Sequence, residues 1–304
     1  MVDALFVDSQ YGNVGRIDRL HPLAGLRIAL DPGHIGGSPW DERTGKYIVD
    51  AKGRRLSEGI MALQIALLLE NDLKRLGATV LLTRRNLSPV TDADFAEYEK
   101  ENKTEMFFRK ADLEARAEKI LGFRPDLTII LHLDESTPSE DHEVEHLKKR
   151  CNDTKAYVPG AFSKAELLDQ ADQELLQEVL AKPYAWEESI RLSRHITARI
   201  HQKTGVPLME QVSSVGSHDG LASMIRIEPG VFARNLYLQR HLGGLVSSYV
   251  ELLCYEDPQQ LLALSTHEHS MKIDEKYYPY SQRLLDLVDA VRDGIVDYQR
   301  DEQL

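Results

Sequence analysis

The sequence predicts an α/β protein, a single mostly parallel sheet flanked by helices on both faces and carrying loop insertions. Three observations lead to this. The apolar run Arg27-Ile28-Ala29-Leu30 enters a Pro/Gly turn, a helix-patterned run follows from Glu58, and Ala78-Thr79-Val80-Leu81-Leu82 returns as a strand, so that strand, helix and strand form a right-handed parallel crossover. A third apolar run, Leu127-Thr128-Ile129-Ile130-Leu131, is set off by Pro125 after a second helical stretch. A late run, Val246 to Leu253, has the length of one more buried strand.

Residues 1–25 are weakly patterned, with turns at Tyr11-Gly12-Asn13 and His21-Pro22, and read as a lead-in to one domain over 26–304. Pro32 and Gly33 end the first strand abruptly and leave His34 just past its end, where open α/β sheets gather their sites. The polar, Gly-punctuated stretch from Ser38 to Ser57 reads as a long loop or small hairpin, the usual place for substrate contacts. The helix from Glu58 has apolar residues at helical spacing through Leu73 and Leu76, and Gly77 stops it. Residues 85–105 are polar. Helical spacing resumes from Phe107 to Leu121, and the third strand ends in His132. Residues at about 134–155 are acidic and then basic without apolar period, which predicts a solvated insertion. Ala156-Tyr157-Val158 forms a short strand, helices follow over 165–180 and 186–200, and 213–220 is a loop. Asp257-Pro258 has the cap and first-turn residues of a helix, and the last helix covers 280–298.

A net charge of −12 argues against nucleic acid as a partner, since phosphate binding needs clustered Lys and Arg. Charges interrupt every apolar run before it reaches the length of a membrane span, which argues against stable membrane insertion. The N-terminus lacks the basic start and apolar stretch of a secretory signal, so the expected location is the periplasm or cell envelope if a leader has been removed, and otherwise the cytoplasm. Two cysteines, Cys151 and Cys254, are too few for a disulfide framework but enough for one bridge.

His34, Glu58 and His132 all fall where elements meet. Two imidazoles and a carboxylate, with a fourth position open, are a common ligand set for one catalytic Zn2+, which polarises a carbonyl and acidifies water. A second carboxylate must then move the proton. Glu251, an acid on an otherwise apolar strand, fits that role, the competing reading being an edge-strand Glu facing solvent.

These residues resemble a family. Asp31-Pro32-Gly33-His34, the helix-opening Glu58, Leu81-Leu82-Thr83-Arg84, Leu113-Glu114-Ala115-Arg116 before Ile129-Ile130-Leu131-His132, and Val250-Glu251-Leu252-Leu253 before Asp257-Pro258 look like the zinc-dependent N-acetylmuramoyl-L-alanine amidases of the Amidase_3 type. The resemblance implies a six-stranded, phosphorylase/hydrolase-like sheet and cleavage of the amide between N-acetylmuramic acid and L-alanine in bacterial peptidoglycan. It also implies zinc on His34, Glu58 and His132, catalysis by Glu251, and peptidoglycan or muropeptides as partners. Where the family reads His-x-Asn, this chain has Asp134, whose charge would alter the surroundings of the metal. Arg84 and Arg116 are expected to hold the scaffold by pairing with carboxylates, and Arg234 and Asn235 to contact substrate.

Other readings remain open at this level. The same ligands serve a zinc carboxypeptidase-like peptidase, and a cell-wall binding protein could keep the fold without turnover. His142-Glu143-Val144-Glu145-His146 matches the zincin pattern, but its surroundings have almost no apolar face, which favours a solvated insertion over a second metal centre. That insertion, over 137–150, could regulate the site from beside His132. Glu228 is the rival catalytic acid, set aside because Gly230-Val231 matches a step that precedes the catalytic glutamate in the family.

Overall fold

A computed structural model describes residues 20–100, 105–135, 151–162, 168, 173–174, 176–177, 181–210 and 224–302. The lead-in up to residue 19, the His142–His146 pattern with the segment around it, the 213–220 loop and most of the helix expected over 165–180 lie outside the described residues.

Strand β1 (Arg27–Pro32) is followed by a short helix α1 (Trp40–Thr44), a hairpin of β2 (Tyr47–Val49) and β3 (Arg55–Ser57), the long helix α2 (Glu58–Arg75) and β4 (Thr79–Leu82). Next come α3 (Phe95–Lys100), α4 (Glu105–Phe123), β5 (Leu127–Asp134) and β6 (Lys155–Pro159). The chain continues through α5 (Pro183–Thr204), β7 (Met224–Glu228), β8 (Val231–Arg234), α6 (Tyr237–His241) and β9 (Ser247–Cys254). It ends with α7 (Pro258–Leu264), the hairpin β10 (His269–Ile273) and β11 (Lys276–Tyr280), and α8 (Gln282–Glu302).

The main sheet has seven strands in the order β4-β1-β5-β9-β6-β8-β7. Strands β4, β1, β5 and β9 are parallel, β6 reverses direction against β9, and β7 reverses against β8. The resemblance implied one strand fewer. Helices α2, α5 and α8 cover one face, where Ile28, Leu30, Ile129, Leu131, Val250 and Leu252 are buried. Helices α4 and α6 cover part of the other, around Ala29, Ile130 and Tyr249.

Two sequence signals reappear as caps: Gly77 ends α2 in the left-handed region, and Asp257 accepts from the N–H groups of Gln259 and Gln260. Ser57, left in the loop by the sequence reading, accepts from the Ile60 N–H at the start of α2. The polar 85–105 stretch differs from expectation, because Phe95 on α3 packs with Trp40 and Phe108 in a small aromatic cluster. Lys155, expected to close the insertion, instead opens β6. The two cysteines form a disulfide. No described helix is long and apolar enough to cross a membrane.

Candidate metal centre

The first donor is set by the turn after β1. His34 adopts φ 50°, unusual for a residue with a Cβ, and two buried guanidinium groups hold the backbone that leads to it. Arg84 donates to the carbonyls of Pro32 (3.2 Å), Gly33 (2.9 Å) and Gly59 (2.8 Å). Arg116 donates to the carbonyls of Pro32 (2.8 Å) and His34 (3.1 Å) while pairing with Asp31 and Asp112. Arg116 thus pairs with carboxylates as expected. Arg84 does not, because every bond it makes here goes to a backbone carbonyl, the third lying on the first turn of α2.

Glu58 opens α2, and glycine allows that helix to approach the turn. A Cβ on Gly59 would lie 2.5 Å from the Gly36 nitrogen, and one on Gly36 would lie 2.6 Å from the Ile60 nitrogen. Gly33 makes room for the third donor, since a Cβ there would stand 2.4 Å from the His132 ring. His132 projects from β5 and stacks on Tyr249 of β9, ring centroids 4.4 Å apart.

The three side chains meet around Glu58. Its Oε2 is 3.2 Å from His34 Nε2, and its Oε1 is 3.0 Å from His132 Nδ1 and accepts from the Leu133 N–H at 3.2 Å. One ligand atom from each residue lies within 4.8 Å of the others. Burial would raise the Glu58 carboxyl, but the His34 charge and hydrogen bonds from both imidazoles prevail and hold it well below the usual carboxylate range. Burial pushes the His132 imidazole down, and the charge on His34 adds to this against the Glu58 hydrogen bond. An ionised carboxylate between two imidazoles is a donor set that can hold a divalent metal ion, and the residues fit it.

Glu251 lies beside this group, because β9 pairs it with His132 of β5 on one side and β6 pairs it with Lys155 on the other. Its Oε2 is buried with no hydrogen-bond partner among the described residues. Burial, reinforced by the charges of Asp134 and Glu58, raises its carboxyl well above the usual range, against the pull of Lys155 and Lys46. Lys155 donates to Asp134 and, at 2.9 Å, to Asp153, so the charge that replaces the family's asparagine has a buried counter-ion. At the mouth, Lys46 pairs with Glu135, whose other oxygen accepts from the Tyr255 hydroxyl at 2.9 Å.

The remaining sequence candidates are not among the three converging side chains. Glu228 is paired with Arg194 at 2.6 and 2.7 Å on the edge strand β7. Strands β6 and β8 run against β9, so Arg234 lies toward the start of β9 while Glu251 lies toward its end. Its guanidinium covers the Tyr157 ring at 5.2 Å. Asn235 accepts from Arg240 at 3.3 Å, and its Nδ2 is buried without a partner among the described residues. Sequence reasoning missed Tyr249 and Lys155, which carried no signal, whereas Lys46 lies in the 38–57 loop where it expected substrate contacts.

Two solved structures share the fold at low identity. An N-acetylmuramyl-L-alanine amidase, Ami1, from Mycobacterium smegmatis aligns with a TM-score of 0.54 at 13% identity, covering 92% of this chain and 99% of that one. The CwlD amidase from Clostridioides difficile, solved in complex with the GerS lipoprotein, aligns with a TM-score of 0.52 at 18% identity, covering 91% and 99%. No curated protein sequence matches significantly. The sequence matches the N-acetylmuramoyl-L-alanine amidase family over residues 28–242, which include His34, Glu58 and His132 and stop before Glu251. With well over half of its length matched, the chain belongs to the N-acetylmuramoyl-L-alanine amidase family.

Proposed function

We propose that the protein is a zinc-dependent amidase that hydrolyses the bond between N-acetylmuramic acid and L-alanine in peptidoglycan or its fragments. The observation that carries this reading is the convergence of His34, Glu58 and His132 on one point, with Glu251 in register beside His132. Bound to these three donors, zinc would supply Lewis acidity toward an amide carbonyl and toward water.

The chain's own residues do the rest. Glu58 would complete the donor set from the start of α2, and Tyr249 fixes the plane of the His132 ring by stacking on it. Glu251 takes the proton of the attacking water on its carboxylate and returns it to the alanine nitrogen as the C–N bond breaks. Its burial with one unpartnered oxygen suits a carboxyl that must both hold and release a proton. The Cys151–Cys254 disulfide supports a place in the cell envelope, because such bonds persist in oxidising compartments.

The test joins metal analysis to product analysis. The protein should bind one zinc and release peptides with a free L-alanine amine while leaving glycan strands intact, as read by mass spectrometry of peptidoglycan digests with and without chelator. Glu251→Gln should keep the zinc and lose at least about a hundredfold in turnover, the usual size of a general acid–base contribution. His132→Ala should lose the metal. A zinc-loaded protein that leaves every muramoyl–alanine bond uncut would rule the reading out.

A further inference from the structure

We propose that Lys46 is a specificity-determining residue that binds a carboxylate on the substrate's peptide by exchanging Glu135 for it; this rests on the amidase reading above. Arg84, Arg116 and Lys155 are buried, at 3%, 1% and 6% exposure, and each is fully engaged by carbonyls or carboxylates. A substrate cannot reach them without dismantling the turn or the sheet. Lys46 differs. Its side chain is 24% exposed and that of its partner Glu135 is 33% exposed, so both ends of the pair meet solvent at the mouth of the site.

Its position is fixed by backbone and not by the pair. The Lys46 carbonyl accepts from the Glu58 N–H at 3.0 Å, which ties the residue to the start of α2 and to the central metal donor. Glu135 leaves the end of β5 three positions after His132, and the charge of Lys46 is among those felt by Glu251. The ammonium therefore stands between the elements that carry Glu58, His132 and Glu251.

The pair is also built to exchange. An ion pair open to solvent at both ends contributes little, about 0–1 kcal/mol, so a carboxylate positioned by the rest of a bound substrate can displace it. Glu135 does not become an orphan when Lys46 turns away, since it keeps the Tyr255 hydroxyl at 2.9 Å and its contact with water. The ligand chemistry is that of an acidic peptide whose carboxylate lies close to the scissile amide.

The experiment compares synthetic N-acetylmuramoyl-L-alanyl peptides with free carboxylates against the same peptides with each carboxylate converted in turn to carboxamide, using the zinc-loaded protein. One amidation should raise KM about tenfold or more for the wild type, with kcat little changed. Lys46→Met should level that preference to within about twofold, and Lys46→Arg, the fallback should the Met variant fold poorly, should keep part of it. Glu135→Gln should lower KM for the acidic peptide by about two- to fivefold, the size of the pair it removes; a scaffold role for the pair would not produce that gain. A wild type indifferent to every amidation, or a Lys46→Met variant impaired equally on acid and amide, overturns the proposal and leaves the amidase reading intact. A wild type that cuts no muramoyl–alanine bond overturns both.

Discussion

At Gly33 the geometry of the site depends on a missing methyl group. A Cβ there would lie 2.4–2.6 Å from three atoms of the His132 ring, so Gly33→Ala must push the imidazole off its stack on Tyr249. Zinc affinity should fall by at least about tenfold, as read by competition with a chromogenic chelator. The two arginines act on the other histidine. Replacing Arg116 by Met leaves Asp31 and Asp112 buried without their cation and should cost about 3–5 kcal/mol of unfolding free energy. Replacing Arg84 by Met removes donors from carbonyls at both the His34 turn and the Glu58 helix, and should cost about 1–3 kcal/mol together with metal affinity. Denaturant unfolding and zinc titration of the two variants check these values. The three converging residues drew notice in sequence by their types and places: His34 and Glu58 fall at element boundaries, while β5 runs two residues past His132, where the sequence had ended it. The role of Arg84 was not legible, since its acceptors are backbone carbonyls, which every residue has and no pattern marks.

Among the elements, those with a cap or a long apolar period were readable, and those made by tertiary contact were not. Helix α2 announces itself through its apolar stripe and Gly77. The β10–β11 hairpin, with its exposed tyrosine and alternating polar residues, has no such run, and it is anchored to α2 by Gln64, which donates to the Pro279 carbonyl at 3.1 Å. The β2–β3 hairpin offers a pH test. Its turn is held by Asp50, which accepts from the Lys52 and Arg54 N–H groups and from the Arg54 guanidinium. Desolvation alone would raise the carboxyl, but these bonds lower it to about 2, from an ordinary 3.8. A depressed folded-state pKa means that the stabilisation is complete above about pH 4 and is lost as pH falls through about 2. The stability gap between wild type and Asp50→Asn should therefore be constant at neutral pH and close over that window, as read by urea unfolding at a series of pH values.

For the whole molecule, the sheet does what the sequence could only suggest. It brings β1, β5 and β9 side by side, so that residues more than a hundred positions apart share one end of one surface. The disulfide follows from the neighbouring pair, because β6 runs antiparallel to β9 with Lys155 opposite Glu251, which carries Cys151 toward Cys254, and nothing in the spacing of two cysteines 103 residues apart could reveal it. Reduction should destabilise the protein by about 4–5 kcal/mol if the chain-entropy account of so large a loop holds, and unfolding with and without reductant measures it.

That bond also divides the molecule in a way the fold does not. It closes residues 151–254 into a covalent ring holding Glu251, while His34, Glu58 and His132 all lie on the chain that leads into the ring. A single cut of the backbone anywhere within the ring would open it without separating the pieces. A nicked protein should run as one species on a non-reducing gel and as two after reduction, one fragment carrying the three donors and the other, for a cut before Glu251, the acid. Two polypeptides joined only through sulfur would then contain every group that the proposed reaction needs.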